Sequence, residues 1–507
     1  MNRPLDVLLI NCDNADVAYQ DLALDYAAIE PPTWSLLLAQ SCRVKGFGAA
    51  ILDASAERLS LLQTVARVAE IKPRLALFVV YGQNPNSGTT NMHGNVECAS
   101  LLKKVHPEIY ICFVGSHTSA LPRDVLSLPF VDFVLLNEGV YALHNLLKSD
   151  FRSELCKING IGYKVLGNPV LSRPERVVPQ DNMDVDLPGY AWDLLPYRER
   201  PLDLYRAHFW HAEFSHEKRS PFAAIYTSLG CRFKCDFCMI NIVNRVDNAD
   251  GTTSAMSPNM RFWSTGLILK ELERLRLLGV ETLRISDEMF FLNKTYFEPL
   301  VVGIAARNLN FRMWVYSRVD TIRPQYLEAF QKAGINWLAL GIEAGSQTVR
   351  QEVSKGSFKD VNIREIVKET RASGMNVISN YIFGFPSDTH ETMQLTLDLA
   401  LELCTEMVNM YPCQALPGSP LYYEARARGW LLPESYSGYA FLSYDSQPLP
   451  TKYLSAKEVL AFRDDAWHLY FSHQPYLALV ESKFGLQQRL NVEKMAKIRL
   501  KRKLIVS

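Results

Sequence analysis

Three cysteines stand apart from the rest of the chain. The segment Gly230-Cys231-Arg232-Phe233-Lys234-Cys235-Asp236-Phe237-Cys238 packs three thiols into eight residues. Thiolates at this spacing hold three corners of a cubane iron–sulfur cluster, and with no fourth cysteine nearby one iron stays open to another ligand. Zinc on three cysteines with a distant fourth ligand is the competing reading. A disulfide fits an odd-numbered cluster poorly. The other seven cysteines (Cys12, Cys42, Cys98, Cys112, Cys156, Cys404, Cys413) are scattered, mostly in apolar segments, and read as buried reduced thiols. His208, His211, His216 and Glu217 lie close in sequence without a familiar zinc spacing, so they read as a solvated or substrate-facing segment.

Something must position that loop. It follows a strand predicted over Ala223 to Leu229, and strand and helix then alternate. Strands are expected at Thr282 to Ser286, Phe311 to Tyr316, Trp337 to Ile342, Val377 to Phe383 and Met407 to Tyr411. Helices are expected near Leu267 to Leu278, Tyr296 to Arg307, Pro324 to Ala333, Val361 to Ser373 and Glu391 to Leu403. Six strands so arranged make a partial (β/α)6 barrel, open on one side, whose functional groups gather at the carboxyl ends of the strands. Asp287, Glu288, Arg318, Glu343 and the cysteines all fall there.

Before the barrel, short apolar runs at Asp6 to Asn11, Ala49 to Leu52, Leu75 to Tyr81, Ile109 to Val114 and Phe133 to Leu136 alternate with amphipathic stretches. That pattern predicts a doubly wound parallel sheet, with ligands beyond its carboxyl edge. The loops there (Cys12 to Ala18, Gly82 to Thr90 with Ser87, Gly115 to Ser119, Asn137 to Gly139) are rich in Gly, Ser, Thr and Asn. No G-x-G-x-x-G follows the first strand, which argues against a dinucleotide.

The division expected is an α/β chain: a Rossmann-like domain over 1–150, a linker over 151–220, the barrel over 221–416 and a mainly helical cap over 417–507. A length of 507 residues suits about three domains. With 54 basic and 54 acidic residues the net charge is zero, so electrostatics gives no case for nucleic acid or an anionic membrane as partner. The longest apolar runs are strand-sized, far short of the roughly 20 residues of a membrane span, and Val7 to Ile10 is too short for a secretory signal, so a cytoplasmic location is expected. The basic run Lys494 to Lys503 reads as a solvated terminal helix, with an anionic substrate or a membrane surface as the other readings. In the cap, the tyrosines around Glu434 to Tyr439 and Tyr453 are expected to present rings and hydroxyls to a polar substrate.

The C-x3-C-x2-C motif is the signature of the radical S-adenosylmethionine (SAM) superfamily, which the chain resembles. Its first domain resembles the cobalamin-binding domain that precedes many such enzymes, through Glu30-Pro31-Pro32, Leu52-Asp53-Ala54, Gly115-Ser116-His117-Thr118-Ser119-Ala120-Leu121-Pro122 and Asn137-Glu138-Gly139; Ser116 and Asn137 stand where the family often has Gly. The resemblance implies a 4Fe-4S cluster on Cys231, Cys235 and Cys238. It implies SAM contacts from Asp287 and Glu288 (amino group), Arg318 (carboxylate), Glu343 (ribose region) and Phe237 (adenine). It also implies cobalamin contacts from Ser87, Gly115, Ser116, His117, Glu138 and Gly139. The D-x-H-x-x-G of proteins that ligate cobalt through histidine is missing after the first strand, so His117 is expected at the cofactor's periphery.

The function so implied is methylation of an unactivated carbon through a 5′-deoxyadenosyl radical and methylcobalamin. The alternative is a radical rearrangement or cyclisation without methyl transfer. A methylthiotransferase is disfavoured because the first domain lacks its own three-cysteine set, and a non-catalytic cobalamin sensor would not need the cysteine triad. An electron donor such as flavodoxin or ferredoxin is implied. Tyr226-Thr227-Ser228-Leu229-Gly230 and Leu449-Pro450-Thr451-Lys452-Tyr453-Leu454 look like one subfamily associated with surface-glycan genes, which points to a sugar nucleotide or lipid-linked sugar as the small-molecule substrate.

Overall fold

A computed structural model describes residues 5–197, 204–208, 221–244, 260–354, 358 and 360–506. The first five strands are β1 (Val7–Asn11), β2 (Ala49–Asp53), β3 (Leu75–Val80), β4 (Tyr110–Gly115) and β5 (Phe133–Leu135), parallel in the order β2-β1-β3-β4-β5. Every residue of β3 is buried, as a central parallel strand covered by helices on both faces requires. The order reverses between β1 and β3. At that switch point the loops leaving the two strands diverge and open a crevice.

The span expected as a linker carries structure of its own. Strands β6 (Ile161–Val165) and β7 (Asn168–Leu171) form a hairpin that extends the first sheet antiparallel to β5. Its β6–β7 turn, Leu166-Gly167, places both residues at positive φ. The following segment then ties the halves together. The Tyr190 hydroxyl donates to the Tyr226 carbonyl, Tyr197 to the Phe222 carbonyl and Tyr205 to the Asp53 carboxylate. Arg206 donates to the carbonyls of Leu24 and Ala27. His211, His216 and Glu217 lie outside the described residues.

The second sheet contains β8 (Phe222–Ile225), β9 (Thr282–Ile285), β10 (Arg312–Arg318), β11 (Ile335–Glu343), β12 (Asn376–Phe383) and β13 (Met407–Pro412). They are all parallel and adjacent in chain order, so the sheet is a partial barrel that does not close between β8 and β13. Period-two alternation sends Ile378, Asn380 and Ile382 of β12, and Met407, Asn409 and Tyr411 of β13, to one face, where they line the lumen.

Helices Ala456–Phe471, Gln474–Phe484 and Leu486–Ala496 pack over the far end of the sheet. The first begins with a capping box, Ser455 bonding the Glu458 amide while Glu458 reaches back to the Ser455 amide. Docking centres on Glu406, which is fully buried and accepts from Arg371, Lys483 and the Val377 amide. The basic C-terminal run is solvated but is not one helix: Lys494, Lys497, Arg499, Lys501 and Lys503 are exposed, whereas Arg502 is buried, paired bidentately with Asp464 and donating to the carbonyls of Phe441 and Ser443. Among the described residues no helix is long and apolar enough to cross a membrane.

Removing the Glu406 carboxylate strands a buried amide and two cations at once. Glu406→Ala is expected to cost about 2–3 kcal/mol, since hydrogen bonds to charged groups are the stronger kind. Urea unfolding would read this as a lower midpoint at unchanged slope; an unchanged midpoint would mean the helices dock without it.

Candidate active site

The cysteine loop begins where β8 ends. Asp287, just past β9, shapes the approach to it by accepting from the Thr227 amide (2.6 Å), the Thr227 hydroxyl (2.5 Å) and the Ser228 hydroxyl (2.6 Å). This buried carboxylate is therefore a latch on the segment leading to Gly230. Glu288 has no such engagement among the described residues. It lies within electrostatic reach of Cys231 and Cys238, and burial lifts its carboxyl to about 8, against the pull of Arg284 and with a contribution from Asp287.

All three cysteines are half-buried free thiols, and burial pushes each thiol up. Donors point at two of the sulfurs. Asn86 Nδ2 lies 3.6 Å from Cys238 Sγ and Arg318 Nη1 lies 3.9 Å from Cys235 Sγ. Three thiols on one loop, met by hydrogen-bond donors, form a donor set that fits an iron–sulfur cluster. Arg318 forms a bidentate pair with Asp320 (2.6 and 2.8 Å), and its guanidinium stacks 3.7 Å from the Phe233 ring within the loop. Phe237 packs against Phe385 at 5.5 Å and borders the cavity.

Glu343 ends β11 at φ +67°, an uncommon conformation for a non-glycine residue, where the pairing with β12 shifts register. Its carboxylate folds over Gly341, whose missing side chain makes the room: a Cβ there would sit 2.5 Å from Glu343 Oε1. Burial raises Glu343 to about 7, opposed by Arg318 and reinforced by Asp320.

A cavity of about 550 Å³ runs from the β1/β3 switch point to the barrel lumen. The first domain contributes the loop after β1 and the turn with Asn86 and Ser87; the barrel contributes Tyr316, Glu343, Asn380 and Asn409; the C-terminal region contributes Phe441, Arg463 and Trp467. Along its wall Arg284 and Glu30 form a buried pair joining barrel and first domain, with 2.5 Å to each carboxylate oxygen. Asn14 and Gln414 each border the cavity with a buried side-chain oxygen that the protein leaves without a hydrogen bond.

Of the residues expected to contact a cofactor in the first domain, only Ser87 borders this cavity. Gly115 supports the turn from beneath, because a Cβ there would meet the Val80 carbonyl at 2.4 Å. Ser116 donates to the Pro85 carbonyl at 2.5 Å. His117 is buried, hydrogen-bonded to Thr89 at 3.0 Å and set edge-on to Tyr436, with burial pushing its imidazole down to about 4. Buried in this way, the imidazole is held neutral. Glu138 is likewise a structural tie, pairing with Arg261 at 2.8 Å and accepting from the Val178 amide. Gly139 takes φ +76° ahead of helix Val140–Lys148. The cap tyrosines do not face the cavity either: Tyr439 is buried beside Met239 and Ile242, Tyr436 sits against His117, and Tyr453 is exposed. Phe441 and Trp467 do that work instead.

Sequence reading missed Glu30, Arg284, Asn86 and the lumen asparagines. Glu30 had been noted only as part of a motif. The i, i+2 alternation of β12 and β13 was the available signal for Asn380 and Asn409.

The described residues form a partial parallel barrel with a cysteine triad after its first strand, preceded by a doubly wound domain that shares its cavity. Residues 225–400 match the radical SAM superfamily model. The chain is similar to an uncharacterized methyltransferase of Pyrococcus horikoshii (24% identical, covering 77% of this chain and 77% of that protein). It is also similar to an anaerobic magnesium-protoporphyrin IX monomethyl ester cyclase of Rubrivivax gelatinosus (23% identical, 80% and 68%). The fold matches that of the radical SAM methyltransferase TsrM from Kitasatospora setae, solved with cobalamin and a [4Fe-4S] cluster (TM-score 0.66, 16% identical, 98% of this chain and 99% of that one). Residues 225–400 are thus a radical SAM domain, and the chain as a whole has the fold of TsrM.

The raised carboxyls set a pH dependence. An acid that ionises near 4.5 when unfolded but near 7 when folded, as Glu343 does, loses its stabilising contribution as pH rises through that window. Glu288 adds the same sign up to about 8. Cluster-free protein is therefore expected to lose stability between pH 5 and 7.5, and Glu343→Gln to flatten part of that slope in pH-resolved urea unfolding. An identical slope in the variant would place the titration elsewhere.

Proposed function

We propose that the protein is a cobalamin-dependent radical SAM methyltransferase acting on a carbon of a small molecule. The observation that carries this reading is a continuous cavity joining the switch point of the first domain to the barrel lumen beside the cysteine loop. Cys231, Cys235 and Cys238 would hold the cluster, Glu288, Arg318, Glu343 and Phe237 would hold SAM, and the loops after β1 and β3 would hold cobalamin. Bound there, these groups supply hydrogen-atom abstraction from one side and a transferable methyl group from the other.

The chain's own contribution is placement and exclusion of water. Glu288 and Glu343 offer acceptors for ammonium and hydroxyl groups, and the cation of Arg318 attracts a carboxylate. Phe441 and Trp467 border the lumen with apolar rings, and Asn380, Asn409, Tyr316 and Tyr411 line it with neutral hydrogen-bonding groups. Amides and phenols suit hydroxyls and carbonyls, which supports a sugar-containing substrate. An electron donor such as flavodoxin or ferredoxin would serve the cluster. The similarity to a named cyclase favours, as the second reading, a radical cyclisation in the same architecture.

Anaerobically reconstituted protein, screened first against sugar nucleotides and lipid-linked sugars, is expected to release 5′-deoxyadenosine and S-adenosylhomocysteine in a ratio of about one to one. Label from methyl-deuterated SAM should enter the product. Substituting Ala for any of the three cysteines should abolish SAM cleavage. Substrate-dependent 5′-deoxyadenosine without S-adenosylhomocysteine or methylated product would replace methyl transfer with cyclisation or rearrangement.

A further inference from the structure

We propose that Asn86, a residue of the first domain, is a positioning residue for the cluster of the second: it hydrogen-bonds the sulfur of Cys238 and thereby raises the cluster's reduction potential. The inference rests on the reading of the cysteine triad as the cluster site.

Two bonds fix the Asn86 amide. Its Oδ1 accepts the Met239 backbone N–H at 2.9 Å, which only an oxygen can do, so Nδ2 is the atom 3.6 Å from Cys238 Sγ. The amide thus grips the end of the cysteine loop at two adjacent residues. The turn that carries it is braced in turn. Asn84 Oδ1 accepts the Asn86 N–H at 2.9 Å, Ser116 donates to the Pro85 carbonyl at 2.5 Å, and Gly88 packs so closely that a Cβ would lie 2.0 Å from Ser116 Oγ. Asn86 and Ser87 also border the cavity, so the surface on which a ligand of the first domain rests is the one that holds Cys238.

A donor aimed at a cluster sulfur stabilises the reduced, more negative state over the oxidised one, so hydrogen bonds to the sulfurs raise the potential. Arg318 supplies a comparable contact to Cys235 from within the barrel. The contact to Cys238 comes from the other domain, so the potential depends on the docking of the two.

The test compares wild type with Asn86→Leu, which has no donor, and Asn86→Asp, which keeps an acceptor for the Met239 amide but turns a carboxylate toward the sulfur. Each is reconstituted anaerobically, its iron counted, and the cluster titrated reductively under electron paramagnetic resonance without substrate. Both variants are expected to hold about four irons, as wild type does, with midpoints more negative than wild type and Asp lower than Leu. Unchanged midpoints with intact clusters would overturn the proposal. So would loss of the cluster from both variants, because Asn86 would then serve only the folding of the loop. A wild-type protein that assembles no such cluster would instead sink the reading of the triad itself.

Discussion

The buried pair of Arg284 and Glu30 is the contact on which the site's geometry depends. Arg284 projects from β9 into the lumen, Glu30 comes from the first domain, and each is nearly sealed from solvent. Neither charge is tolerable there alone, and breaking such a pair by removing one partner costs more than the pair contributes. The guanidinium also donates to the Gln83 carbonyl at 3.2 Å and lies 5.0 Å from the Tyr316 ring. Gln83 sits three residues before Asn86. Through Arg284, the barrel therefore fixes the same loop of the first domain that touches the cysteines. The two halves share one continuous apolar core, and within it these directed contacts fix the loop that lies beside the cysteines.

The fold was legible because its signals are local. Apolar strand runs and amphipathic helices recur along both halves, and the expected strands match the observed ones to within a few residues. The cysteine motif was legible for the same reason, with all its ligands inside eight residues. What escaped was long-range pairing. Glu138 and Arg261 stand 123 positions apart, and Glu30 and Arg284 stand 254 apart. A carboxylate beyond a strand end looks the same in sequence whether it awaits a ligand or already holds a partner. Asp287 shows the ambiguity, since its three donors belong to a segment about 60 residues earlier. The hairpin at 161–171 was hidden by shortness: two strands of four and five residues carry too little periodicity to separate from coil.

Among the described residues, burial without an ion pair distinguishes the two carboxyls beside the cysteine loop from their neighbours. Arg284 is matched by Glu30, Arg318 by Asp320, and Arg463 by Asp464. Glu288 and Glu343 carry raised pKa values because burial outweighs the arginines near them. A cation placed between such groups favours their ionised forms and lowers both pKa values toward the ordinary range. Binding of a ligand with a positive centre is then coupled to release of protons near neutral pH, and its affinity rises as pH rises through the window in which the empty site would hold those protons. The fold's burial of these two acids thus favours a ligand with a positive centre over an uncharged one of the same shape, because only the cation offsets the cost of ionising them.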